Sequence, residues 1–150
     1  MRSIRRQKNL TTERMEYAIK AWVTDVRART FVFARQKTMY GGKSIAVGDT
    51  LFIFASKNEG GPGLIAHGVV TTVRSVPRVP GPARQTPRVS LTVRRIALAK
   101  RQLGRLELKG CTAWSDGRPE TELNFKFYRQ ATNKVVGISE SVSAFLREYF

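Results

Sequence analysis

The chain has 150 residues, a hydrophobic fraction of 41% and a formal net charge of +16 at neutral pH. That length suits one domain with a real core, and no apolar run approaches the roughly 20 residues of a helical membrane span, so a soluble globular protein without a membrane partner is expected. One cysteine (Cys111), one histidine (His67) and three aspartates (Asp25, Asp49, Asp116) supply no zinc set, no internal disulfide and no clustered-acid catalytic centre, and fit a reducing, cytoplasmic setting.

The N-terminus, Met1-Arg2-Ser3-Ile4-Arg5-Arg6-Gln7-Lys8, is basic without a following apolar stretch, which reads as a mobile cationic arm over residues 1–10 and not as a secretion signal. A single domain is expected over residues 11–150. Thr11 or Thr12, with Glu13 and Glu16 in a first turn, predicts a short helix running into a strand around Ile19, Trp22, Val23 and Val26. Phe31-Val32-Phe33-Ala34 is a second strand. Gly48-Asp49 is a turn signal directly before Thr50-Leu51-Phe52-Ile53-Phe54-Ala55, a buried strand. After a turn at Glu59 to Gly63, Leu64 to Val73 returns beside it as a hairpin, and Gly68 within it marks a bulge or close backbone approach. Gly60-Gly61-Pro62-Gly63 lacks the Lys-Ser/Thr of a phosphate-binding loop, and no other cofactor motif occurs, so no cofactor is expected.

Residues 77–88 hold four of the six prolines and three arginines, Arg78, Arg84 and Arg88. Such a segment cannot donate a continuous ladder of hydrogen bonds and is expected as an extended surface loop, either a plain linker or a contact for backbone phosphates. Val89, Leu91 and Val93 alternate as a half-buried strand leading into Arg94-Arg95. Leu103, Leu106 and Leu108 fit either strand or helix, while Leu123-Asn124-Phe125-Lys126-Phe127-Tyr128 alternates again as a strand. At the C-terminus, Ser139 caps a helix whose Val142, Phe145, Leu146, Tyr149 and Phe150 share one face. The periodicities predict an α+β, mostly β protein: a small barrel of about five to seven strands with one or two flanking helices.

Charge supplies the functional direction. Between Glu59 and Glu107 there is no acidic residue, while nine basic ones fall in the gap. A surface built from that stretch attracts a polyanion and gains affinity by releasing condensed counterions, so nucleic acid, RNA or DNA, is the expected partner. A second candidate surface joins Phe125, Phe127, Tyr128, Arg129, Gln130, Asn133 and Lys134, aromatics interleaved with basic and amide groups as on a single-strand platform.

The run from Gly48-Asp49 through Phe54-Ala55-Ser56 and Pro62-Gly63 to Gly68-Val69-Val70 resembles the EVE domains of the PUA-like superfamily. Trp22 is similar to the tryptophan of the first EVE strand. The resemblance is concentrated in residues 45–73, and it implies a mixed or antiparallel PUA-like pseudobarrel, related to YTH and SRA readers. Such a fold presents a pocket for a flipped or single-stranded modified base. In such a pocket Trp22 is the candidate stacking wall, Ser56 and Asn58 the candidate edge readers and Lys57 a candidate phosphate contact, and the chain's cations Arg78, Arg84, Arg88, Arg94, Arg95, Arg129 and Lys134 are the candidate basic rim. Each has a plainer rival: Trp22 in the core, Ser56 and Asn58 satisfying their own turn.

Phe54-Ala55 stands where EVE proteins commonly carry an aromatic and a histidine, and Lys37-Thr38 has an ASCH flavour but lacks the glutamate that an ASCH enzyme would use. Three readings follow. They are a non-catalytic, monomeric base-recognising module, an ASCH-like enzyme on nucleoside or RNA using Lys37, and a charge-driven RNA- or ribosome-associated protein.

Overall fold

The computed structural model describes residues 16–57, 61–81, 85–130 and 132–150. The expected arm at 1–10, the helical start at 11–15, Asn58 and Arg84 lie outside the described residues. Six strands form the framework: β1 Glu16–Trp22, β2 Thr30–Met39, β3 Thr50–Ser56, β4 Gly63–Ser75, β5 Arg88–Leu98 and β6 Lys134–Ile138. They close into a barrel in the order β1-β3-β4-β5-β2-β6. Most neighbours are antiparallel, but β1 runs parallel to β3 and β2 parallel to β6. This is a mostly β closed barrel, as the periodicities predict, and its mixed strand directions fall within the mixed or antiparallel pseudobarrel that the EVE resemblance implies.

Side-chain alternation sorts the apolar residues into two cores. Tyr17, Ile19, Ala21, Leu51, Ile53, Leu91 and Val93 fill the barrel. Ala18, Phe52, Phe54, Val136 and Ile138 face outward under a helical layer made by Leu108, Leu123, Phe127, Val142 and Leu146. Strands β1 and β3 are therefore buried on both faces, which is why they read as apolar runs without clean alternation. The layer consists of α1 (Arg105–Leu108), α2 (Pro119–Leu123), a π-helical continuation at Asn124–Tyr128, and α3 (Glu140–Arg147). At the start of α3, Ser139 Oγ accepts from the Val142 amide at 3.3 Å, the cap that the sequence places there. No helix among the described residues is long and apolar enough to cross a membrane.

Two segments differ from their expected form. Residues 123–128 are helical, not a strand: Pro119 opens the helix, and the spacing of four between Leu123 and Phe127 puts both on the buried face. Phe125 and Phe127 consequently point in different directions, whereas a strand would have aligned them. Lys134–Ile138 is a strand that alternation does not reveal, because all five of its residues are buried. Gly68 meets its expectation. The register shifts between His67 and Gly68, and a Cβ there would fall 2.3 Å from the Arg94 carbonyl oxygen.

Candidate nucleic-acid interface

Strand direction decides what can share a site. One end of the barrel carries the C-terminal ends of β1 and β3, which are parallel neighbours, and Trp22 pairs there with Ser56. The indole is 58% exposed, so it does not belong to the core. Ser56 beside it is half-buried and Lys57 exposed. Alternation explains the outward indole: Ala21 points into the barrel, so its successor must point out. The support behind this mouth is tight. Gly63 at the start of β4 has φ +82°, the Leu64 amide donates to the Leu103 carbonyl at 2.8 Å, and a Cβ on Gly63 would lie 2.2 Å from that same oxygen.

Two residues below Trp22 on the same outward face is Lys20, which pairs laterally with Lys134 on β6. Val135 pairs with Thr38, which brings Lys37 beside Lys134, and Lys37 pairs with Arg88. One cation on each of four adjacent strands thus forms a row slanting down the outside of the barrel, at about 5 Å per strand. Its upper half is covered. Lys20 Nζ sits 5.8 Å from the Tyr128 ring centroid, and Lys134 Nζ donates to the carbonyls of Thr132 at 2.9 Å and Gln130 at 3.4 Å. Burial, with Lys20 and Lys37 alongside, pulls the Lys134 ammonium down to about 8; burial also lowers Lys20, with Arg105 adding to it. The Tyr128 hydroxyl is buried with no hydrogen-bond partner among the described residues, and its pKa is raised, first by burial and then by Glu107.

The residues expected as one rim fall into separate places. Arg95 lies on β5, where its Nη1 donates to the carbonyls of Arg27 at 2.7 Å and Ala28 at 3.3 Å, bracing the turn that follows β1. Arg94, also on β5, is exposed three strands round the ring from Trp22. Arg129 stacks its guanidinium on Phe125 (4.8 Å to the centroid) and lies 5.7 Å from the Trp114 ring, beside a small cavity lined in part by both aromatics. Lys134 is fully buried, because the segment after α2 folds over β6. Phe127 is likewise sealed in the outer core, so the expected single-strand platform at 125–134 is divided between interior and surface.

Arg78 and Arg88 lie at the opposite end. They line a cleft of about 690 Å³ with Arg35, Lys37 and Lys43, under the proline-rich loop. The reason is the winding of the barrel: β4 ends and β5 begins at the end where β1 starts. Lys37, the residue of the ASCH-like reading, sits among these cations, and among the described residues no acid lines the cleft. Neither Arg35 nor Lys43 carries a signal in the sequence that would place it here. Arg35 is aimed by a bulge in β2 that has no signature of its own.

A closed mixed barrel of six strands, with helices on one outer face and a C-terminal helix, is consistent with the PUA-like pseudobarrel that the EVE resemblance implies. Its structural neighbours are EVE domains. The DUF55 domain of human thymocyte nuclear protein 1 superposes with a TM-score of 0.60 at 14% identity, covering 89% of this chain and 96% of that one. Human THYN1 in complex with 5-methylcytosine-containing DNA gives 0.61 at 14%, covering 91% and 98%. A hypothetical protein from Leishmania major gives 0.59 at 16%, covering 91% and 94%. No protein-family model and no curated protein sequence matches the chain. At these identities the shared property is the fold.

Proposed function

We propose that the chain is a nucleic-acid-binding module that receives a modified base, flipped or single-stranded, against Trp22. The observation that carries this reading is the indole itself, 58% exposed at the end of two core strands with Ser56 beside it. Exposing a tryptophan costs the hydrophobic free energy its burial would provide, and an aromatic face backed by rigid strands is what a base taken out of its stack needs. Ser56 then bonds the base edge and Lys57 meets the flanking phosphate. The net charge of +16 draws the polyanion in, and the human THYN1 neighbour was crystallised with DNA containing 5-methylcytosine.

The test is binding of oligonucleotides with and without 5-methylcytosine, in DNA and RNA, to the parent and to Trp22→Ala. Stacking is worth about 1–3 kcal/mol per base, so the variant should lose about 5- to 150-fold in affinity along with its preference among bases, at unchanged folding stability. Equal binding by parent and variant would end the base-pocket reading. A steep salt dependence with no base preference in the parent would leave charge alone as the driving force.

A further inference from the structure

The cleft at the far end of the barrel is a separate site. Its cations come from four segments: Arg35 and Lys37 from β2, Lys43 from the turn at Gly42–Ser44, Arg78 from the proline-rich loop, and Arg88 from β5. Among the described residues no carboxylate and no aromatic ring lines it; its apolar walls are valines and prolines. Arg35, Lys43 and Arg88, all exposed, and the half-buried Lys37 gather around one space of about 690 Å³, which raises the local concentration of anions there. The absence of a ring leaves a base nothing to stack on, while the spread of cations over four segments exceeds what one phosphate can use. We propose that this cleft grips the phosphodiester backbone of a single-stranded nucleic acid without reading its bases, independently of the Trp22 mouth.

The walls are fixed in advance. Thr38 donates to the Pro87 carbonyl through its amide at 3.0 Å and its Oγ1 at 2.8 Å. The Val79 amide donates to Gln85 Oε1 at 2.9 Å, tying these two cleft-lining residues together. Arg88 Nη1 donates to the Arg35 carbonyl at 2.7 Å, and the Arg35 amide donates to Ser90 Oγ at 2.9 Å. Arg35 itself has φ 55°, a left-handed conformation inside the bulge. That geometry costs an ordinary residue about 1–2 kcal/mol relative to its relaxed backbone. A glycine would relieve it, and the bulge aims the arginine side chain into the cleft.

The probe is a base-free deoxyribose-phosphate oligomer, titrated at several salt concentrations against the parent, Arg35→Gly, the double variant Lys37→Gln/Lys43→Gln, and Trp22→Ala. The parent should bind it. The double variant should bind at least tenfold more weakly at low salt, with a salt slope shallower by about 0.7 for each phosphate it no longer neutralises. Arg35→Gly should also bind more weakly while melting at a higher temperature, an outcome that a purely structural role for Arg35 would not give. Trp22→Ala should bind this oligomer as the parent does, so failure of the base pocket and failure of the cleft are read separately. Parent-like affinity in both cleft variants overturns the proposal. So does a parent that binds inorganic polyphosphate but not the base-free oligomer, since the occupant would then be a free phosphate chain.

Discussion

At the Trp22 end of the barrel, side chains stand on strands buried on both faces; at the Arg88 end they stand on a ribbon that has outrun its neighbour. Strand β3 pairs with β4 only as far as Thr50 opposite Val69, and β4 continues to Ser75 with β5 as its partner. Stacking a base demands a surface whose position is set within a fraction of an ångström, and the doubly buried strands provide it. Gathering phosphates demands charge and reach, which a peripheral ribbon with a proline-stiffened loop supplies. On the two proposals, the same barrel separates reading from gripping by placing one on its core and the other on its margin.

The widest contrast is expected in stability. Phe54, two residues before Ser56, is fully buried with its ring centroid 5.0 Å from that of Phe127. Phe54→Ala should cost about 3–5 kcal/mol in urea unfolding, because it opens a cavity directly behind the mouth. Val79 lines the cleft at 56% exposure, and Val79→Ala should change stability by no more than about 0.5 kcal/mol. Comparable losses at the two sites would show that the cleft is as deeply tied to the core as the mouth, and the division would fail.

A smaller effect should appear with pH, and it belongs to the covered half of the cation row. Lys134 is held down at about 8 in the folded chain against an ordinary value of 10.5. Between those values the unfolded chain keeps a proton that the folded chain has shed, so stability rises with pH over that window. Lys20 shifts in the same direction and adds to the rise. Above about 10 the sign reverses: burial raises the pKa of Tyr17, Tyr128 and Tyr149, so the folded chain keeps protons that the unfolded one loses. Urea midpoints from pH 7 to 11 should pass through a maximum near pH 10. In Lys134→Met the rise should shrink, while the fall above pH 10 remains. A flat profile in the parent would mean that solvent reaches the row and that it is not sealed beneath Tyr128 and the carbonyls of Gln130 and Thr132.

The sequence carries much of the frame and little of the second site. Gly48-Asp49 with its following apolar run, Gly68, and the Ser139 cap each act through local chemistry, and each appears where that chemistry puts it. The 123–128 segment reads as a strand because a helical stretch with Leu123 and Phe127 four apart also alternates at period two, and its start signal, Pro119, lies upstream of the alternation. Strand β6 gives no signal because burial of all five residues erases the pattern. Arg35 joining Lys43 depends on a bulge and on the winding of the closed barrel, both of which are set by pairings between residues far apart in the chain. Lateral pairing also makes Lys20, Lys134, Lys37 and Arg88 neighbours. Nothing in their sequence spacing announces that row.

The smallest expected effect sharpens the contrast most, because it touches one end only. Thr38 is buried on β2, and its hydroxyl donates to the Pro87 carbonyl at 2.8 Å, fastening the proline-rich loop to the barrel. Thr38→Val keeps the side-chain shape and leaves the amide bond to the same carbonyl in place, so stability should fall by about 1 kcal/mol. Because that bond sets where Pro87 and Arg88 stand, the loosened loop should widen the cleft and weaken binding of a base-free oligomer by several-fold. Discrimination between cytosine and 5-methylcytosine should be unaffected, since the pairing of Trp22 with Ser56 does not pass through Thr38. If base discrimination fell along with backbone binding, the two ends would be mechanically coupled through β2, and one continuous surface would replace the two sites drawn here.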